Sequence, residues 1–213
     1  MNILVFNKLI KRNINMQKYD VIIIGGGVSG LSCAITLGSA QPHEEIAADK
    51  KVLVIDAGKS HLNMAQLYNV PGVAIGSKGP EVLADLTKRA SDYENVSVQE
   101  GTVEAVSGKT GNFEVNTATD TYKTDIVVFA NGMQTIEVKG VDTVPHVRAP
   151  RPGMIMIENT NGVISEGKYV TGCAAGAASM FATAAGYGVQ TATDILSLWT
   201  GKNTIVHDVL KKG

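Results

Sequence analysis

Net charge, cysteine, metal-ligand clusters and long apolar runs are all scarce in this sequence, and each scarcity removes a class of protein. Nineteen basic and 20 acidic side chains leave a net charge of -1, so no electrostatic footprint for nucleic acid exists. Two cysteines, Cys33 and Cys173, are too few for a disulfide scaffold and point to a cytoplasmic setting. No apolar run approaches the roughly 20 residues that span a bilayer, so no membrane association is expected. The four histidines form no H-E-x-x-H pattern and no cluster with other ligands, so no metal site is expected either.

What the chain does have is glycine and apolar bulk. With 213 residues, 44% of them apolar, it can bury one domain's core, and its 23 glycines imply many tight turns. The opening segment stands apart. It runs a short apolar stretch into Lys8, Lys11 and Arg12, the reverse of a secretory leader, and lacks a small-residue cleavage site. Met16 lies just ahead of the first strand, which marks residues 1–17 as an N-terminal extension or a short basic helix. A single domain is expected over residues 18–213.

The most informative stretch is "YDVIIIGGGVSGLSCAITL", Tyr19 to Leu37. Val21–Ile24 is wholly apolar, as a parallel strand buried on both faces should be. Gly25, Gly27 and Gly30 then spell G-x-G-x-x-G, and a helical pattern follows. In that setting the glycines allow a tight turn, close approach of backbone to a pyrophosphate, and close packing of helix on strand. The helix N-terminus offers N–H groups and a positive dipole end to phosphate. A second buried strand, "KKVLVIDAG", ends at Asp56, placed to bond a ribose 2′-OH. Asp56 lies 26 residues past Gly30, against a usual spacing of about 20; the polar segment "QPHEEIAADKK" accounts for the excess. An acid here favours an unphosphorylated ribose, hence FAD or NAD over NADP.

Beyond it, "NVPG" (69–72) follows a polar loop, and "GPEVLADLTKRASDYE" reads as a helix with Pro80 in its first turn. Val96–Glu100 reads as a third parallel strand. "GTVEAVS", "NFEVNTA" and "TYKT" alternate and are joined by turns, which reads as an antiparallel meander. "DIVVFANG" is another buried strand ending in a small-residue turn, and "GKYVTGCAAG" with the following helical pattern closes the domain.

In this order the motifs resemble the FAD-binding domain of the thioredoxin reductase-like flavoproteins, of the pyridine nucleotide-disulfide oxidoreductase type. The resemblance runs from about Lys18 to Leu198. It implies an α/β fold: a Rossmann-like parallel sheet flanked by helices, with an inserted antiparallel β-meander. It also implies FAD as cofactor, held by Gly25, Gly26, Gly27, Val28, Ser29 and Gly30 at the first turn. Asp56, Ala57 and Gly58 would follow the second strand, with Asn69 and Val103 on the loops. Ala130, Asn131 and Gly132 stand in place of that family's A-T-G turn. Gly172 and Cys173 close the site, and backbone N–H groups around Met180 and Phe181 would face the flavin.

Three departures limit what the resemblance carries over. The family inserts a second, NADPH-binding Rossmann domain after the A-T-G turn, whereas here only a short link runs from Gly132 to Met154. No C-x-x-C exists. The family's closing Gly-Asp, whose carboxylate bonds the ribityl chain, is Gly172-Cys173. Cys173 is therefore either a small residue filling space or a redox thiol beside the flavin, its pKa lowered by a following helix N-terminus. Cys33 reads as a packed core thiol, and a Cys33–Cys173 pair is the further alternative. His61 reads as a solvent or cofactor-edge residue. His146, Arg148 and Arg151 lie in "PHVRAPRPG", which is either a solvated connecting loop or a basic loop receiving an acidic substrate or partner.

The expectation is an FAD-dependent oxidoreductase that passes electrons between an unidentified donor, diffusible or protein, and an acceptor. The alternative is a flavin-binding module without turnover, such as a redox sensor or one subunit of a split reductase. A homodimer is expected, because the missing domain leaves the flavin face exposed.

Overall fold

The computed structural model describes residues 18–207 and 210. The proposed N-terminal extension, Met16 included, lies outside the described residues. β1 (Lys18–Ile24) turns into α1 (Val28–Ser39), and β2 (Val52–Asp56) returns parallel beside β1. A two-residue hairpin of β3 (Gln66–Leu67) and β4 (Ser77–Lys78) precedes α2 (Gly79–Ser91), which has Pro80 in its first turn. β5 (Val96–Glu100) pairs parallel with β2. The meander follows as β6 (Val103–Lys109), β7 (Asn112–Thr117) and β8 (Thr121–Phe129). β9 (Thr143–Pro145) and β10 (Ile155–Ile157) form an antiparallel hairpin. β11 (Val163–Ser165), β12 (Lys168–Val170), a single 3-10 turn at Gly172–Ala175 and α3 (Phe181–Thr200) complete the order.

The main sheet runs β11-β12-β8-β1-β2-β5 and is parallel from β12 to β5. This is the Rossmann-like α/β architecture that the motif order implies. One boundary differs: "TYKT" and "DIVVF" are one nine-residue strand, β8. Its first half pairs antiparallel with β7 and its last three residues pair parallel with β12. Nothing at Thr124–Asp125 breaks an extended chain. The Thr124 hydroxyl donates to the Ile126 carbonyl, and Asp125 meets Lys18 at 2.8 Å on the neighbouring strand.

The all-apolar strands follow from burial on both faces. Val21, Ile23, Val52, Val54, Ile126 and Val128 join the core under the helices, with Leu31, Ile195 and Leu196. The alternate residues Ile22, Ile24, Leu53, Ile55, Val127 and Phe129 join a second core under the meander, with Phe113, Val115 and Ile157. Each such side chain stabilises the fold by roughly 1.5–3 kcal/mol when fully buried.

Glycine sets how closely the helices sit. A Cβ on Gly188 of α3 would lie 2.1 Å from the Ser29 carbonyl oxygen of α1, whereas one on Gly186 would meet nothing within 4 Å. The two positions therefore respond oppositely to the same substitution. Gly186→Ala should raise stability by about 0.5–1 kcal/mol through helix propensity. Gly188→Ala should lower it by at least 1–3 kcal/mol, on the order of 2–10 °C in Tm. Thermal melts of the two variants check this; equal shifts would refute the close α1–α3 contact.

Candidate functional site

A cleft of about 460 Å³ opens at the carboxyl ends of β1, β2 and β8, where the chain leaves the sheet for α1, for the loop after Asp56 and for Ala130-Asn131-Gly132. Ligands of open α/β sheets sit at such an edge, where strand order reverses.

The first wall is the glycine turn. The Gly25 amide donates to the Ile55 carbonyl at 2.9 Å, and Gly25 has φ +113, so β1 can turn at once. Gly27 is the N-cap of α1 and has extended geometry (φ -78, ψ -175); no side chain caps the helix. A Cβ on Gly27 would find only the Ser60 hydroxyl, 3.6 Å away. The first amides of α1 therefore face the cleft unmatched, beside a residue that has room to spare. Gly30 acts differently, since a Cβ there would lie 2.0 Å from the Gly25 oxygen. It packs helix on strand and does not line the cleft.

Asp56 forms the second wall. Its Oδ1 accepts the Gly26 amide at 3.0 Å and the Gly58 amide at 3.1 Å, while Oδ2 has no partner among the described residues. The carboxylate is thus locked to the glycine turn by one oxygen and presents the other. Ala57 lines the cleft, whereas Gly58, at φ +71, serves the turn behind it. Ser60, His61 and Asn69 continue this wall, which places His61 at the cleft edge.

Asn131 stands on the far side, after β8. Its Oδ1 is buried without a hydrogen-bond partner, although the residue lines the cleft. An orphaned buried acceptor is costly, about 1–3 kcal/mol, unless something in the cleft donates to it. Ala130, Gly132 and Val103 lie alongside. Met133, Gln134, Thr135, Glu137 and Val138 also line the cleft. Sequence reasoning treated that stretch as part of a plain link, and only its position after a strand end could have pointed to it.

The closing motif brings the last wall. Gly172, at φ +62, packs so tightly that a Cβ would lie 2.4 Å from the Ser29 hydroxyl oxygen; it supports the cleft from behind. Cys173, Met180 and Phe181 line it, and Met180 is the uncapped N-cap of α3. Cys33 and Cys173 are both free thiols, Cys33 fully buried.

Two sequence readings need correction here. α3 begins only at Phe181, and Cys173 sits in the preceding 3-10 turn. Burial pushes its thiol above the ordinary cysteine value, and a hydrogen bond with Ser179 offsets this only in part. The direction is the reverse of the lowering expected from a following helix N-terminus. The loop carrying His146 is not simply solvated either. His146 is 5% exposed, its Nε2 lies 2.9 Å from the Cys173 carbonyl oxygen, and the Arg148 guanidinium donates to the Gly176 carbonyl at 2.9 Å. Arg151 remains exposed.

Comparison with known proteins agrees with this geometry. The family model for pyridine nucleotide-disulphide oxidoreductase matches residues 19–165. An oxidoreductase from Agrobacterium tumefaciens superposes with a TM-score of 0.68 at 16% identity, covering 87% of this chain and 100% of that one. A thioredoxin reductase from Gloeobacter violaceus gives 0.71 at 13% identity, covering 91% and 99%. A ferredoxin-flavin thioredoxin reductase from Clostridium acetobutylicum gives 0.64 at 16% identity, covering 88% and 100%. No curated protein matches the chain.

The raised thiol gives a direct test of the cleft. Alkylation of Cys173 by iodoacetamide across a pH series should reach half its maximal rate above the midpoint of a free cysteine peptide. Ser179→Ala, which removes the lowering hydrogen bond, should move that midpoint further up. A midpoint below that of the free peptide would show the thiol to be activated after all.

Proposed function

The chain belongs to the pyridine nucleotide-disulphide oxidoreductase family, and from that premise we propose a one-site oxidoreductase: FAD sits in the cleft, and electrons are exchanged with a diffusible donor or a partner protein. The observation that carries this reading is the convergence of unmatched groups on one cleft. The uncapped turn at Gly27, the free Oδ2 of Asp56 and the orphaned Oδ1 of Asn131 are the donors and acceptors that an FAD would need.

The residues present fit that cofactor. The first amides of α1 would take the pyrophosphate, with the room at Gly27 letting it approach the backbone. Asp56 would accept from the ribose hydroxyls through Oδ2. Asn131 Oδ1 would accept a donor that the protein does not supply. The Met180 amide already donates to the Ala178 carbonyl at 2.7 Å, so the amides from Phe181 onward form a second helix start without a side-chain cap on the same cleft, suited to a site where negative charge develops. FAD, when bound, supplies two-electron redox chemistry. Cys173 is a weak anchor beside these groups; a neutral thiol in place of a charged acceptor gives up roughly 1.5–3 kcal/mol.

The electron path is inferred from the link after β8. Where the resemblance expects a second dinucleotide domain, β9 and β10 are joined by the residues 146–154 alone. A flavin module without turnover would have the same cleft, and is told apart by whether an added donor and acceptor cycle the flavin.

Two measurements test the reading. Gly27→Val should keep the melting temperature of the parent, because extended backbone and open space accept the side chain. Its FAD affinity should fall by at least 10-fold, read by flavin fluorescence titration. A variant retaining full affinity would sink the FAD assignment. In the second, anaerobic stopped-flow mixing with NADPH should reduce the flavin far more slowly than the 1–1000 per second or so of ordinary enzymes. Reduction at such rates by the purified protein alone would overturn the one-site reading.

A further inference from the structure

We propose that His146 is a positioning residue of the cleft: from the β9–β10 hairpin it holds the Gly172–Ala175 turn, and thereby Cys173 and the start of α3, in place. The flavin role of that cleft is the reading given above, but the anchoring does not depend on it.

The ring's bonding is fully determined. The Arg148 amide donates to His146 Nδ1 at 3.0 Å, so the ring proton is on Nε2 and is donated to the Cys173 carbonyl at 2.9 Å. Both ring nitrogens of this buried side chain are satisfied, and one of them by the closing turn. The Arg148 guanidinium then donates to the Gly176 carbonyl at 2.9 Å, and Asn159, just past β10, lies 3.5 Å from the Ala175 carbonyl. The hairpin region thus directs its polar side chains at the carbonyls of one turn.

That turn needs outside support. Gly172 and Gly176 flank it at φ +62 and +93, and glycine loses more freedom on ordering than any other residue. Its own backbone bonds are Gly176 N–H to Cys173 O at 3.0 Å and Ala177 N–H to Gly172 O at 3.1 Å. The same Cys173 carbonyl therefore takes the turn's own bond and the histidine's. Displacing it moves the thiol that lines the cleft, and shifts the run through Ser179 into the N-cap of α3. The hairpin thus adds side-chain donors to a turn that otherwise rests on its own backbone bonds.

The test uses the full chain, FAD-free and FAD-loaded. Cys33 is wholly buried, so the rate of reaction with a disulfide reagent such as DTNB in the FAD-free protein reports on Cys173. His146→Phe keeps a ring but cannot donate. It should speed the Cys173 reaction and weaken FAD binding, each by about 2- to 10-fold, as expected for one lost hydrogen bond. His146→Gln, which can still offer an N–H near the Nε2 position, should restore both values to within about two-fold of the parent. Arg148→Met, altered at an exposed side chain, should move both in the same direction as His146→Phe.

If His146→Phe fails to fold, Arg148→Met decides: unchanged thiol reactivity and unchanged FAD affinity there overturn the proposal. So does a His146→Phe protein with a lowered melting temperature and neither readout moved, since that is the mark of packing alone. A parent protein that binds no FAD, yet shows the expected pattern of thiol rates, supports the anchoring and overturns only the flavin assignment.

Discussion

The approach of α1 to the end of β1 is the constraint on which the rest of this structure depends. Gly30 has no room for even a methyl group, because the Gly25 oxygen would lie 2.0 Å from it. That closeness aims the uncapped start of α1 across the sheet edge. It also places Ser29 where two other elements lean on it: Gly188 of α3 against its carbonyl, and Gly172 of the closing turn against its hydroxyl. Segments distant in sequence thus meet on one turn of one helix. Moving α1 outward by the width of a methyl group would loosen the cleft's first and last walls together.

The electrostatics of the cleft follow from that packing. Asp56 is tied to the turn through Oδ1 by the Gly26 and Gly58 amides, so its position is fixed by backbone and not by a flexible partner. Two helix starts without side-chain caps supply N–H groups to the same cleft. Negative charge therefore has one fixed carboxylate to avoid and two amide clusters to seek. Cys173 adds no charge, because burial holds its thiol protonated past the ordinary range.

Much of this was legible in the sequence because it is local. The apolar run Val21–Ile24, the glycine spacing after it and the acid closing Val52–Asp56 are contiguous, and their periods state both burial and direction. Gly30 could be read as a packing glycine for the same reason. The environment of Cys173 was misread, since a nearby helix suggests a lowered pKa while only the folded packing shows that burial dominates. The role of His146 was invisible. Its partner is a backbone carbonyl 27 residues away, and every residue type carries such a carbonyl, so no pattern in the chain advertises the bond. The strand junction at Thr124–Asp125 failed differently. Two strands were read where the pattern changes from alternating to continuous, but one strand can do both when only its second half is covered on both faces.

The hairpin and the closing turn are, finally, a coupled pair. Two three-residue strands are too short to stand alone. Their order comes from docking: His146, Met154, Met156 and Ile157 are all buried. Pro145, Pro150 and Pro152 restrict the chain before it docks, which lowers the entropy lost on ordering. The bonds that steady the turn are then the same bonds that steady the hairpin. Coupling of this kind is reciprocal by thermodynamic necessity. Between these anchors the surface from Val147 to Gly153 is exposed. The short link thus shares its side-chain hydrogen bonds with the turn that carries Cys173, which a freely solvated loop could not do.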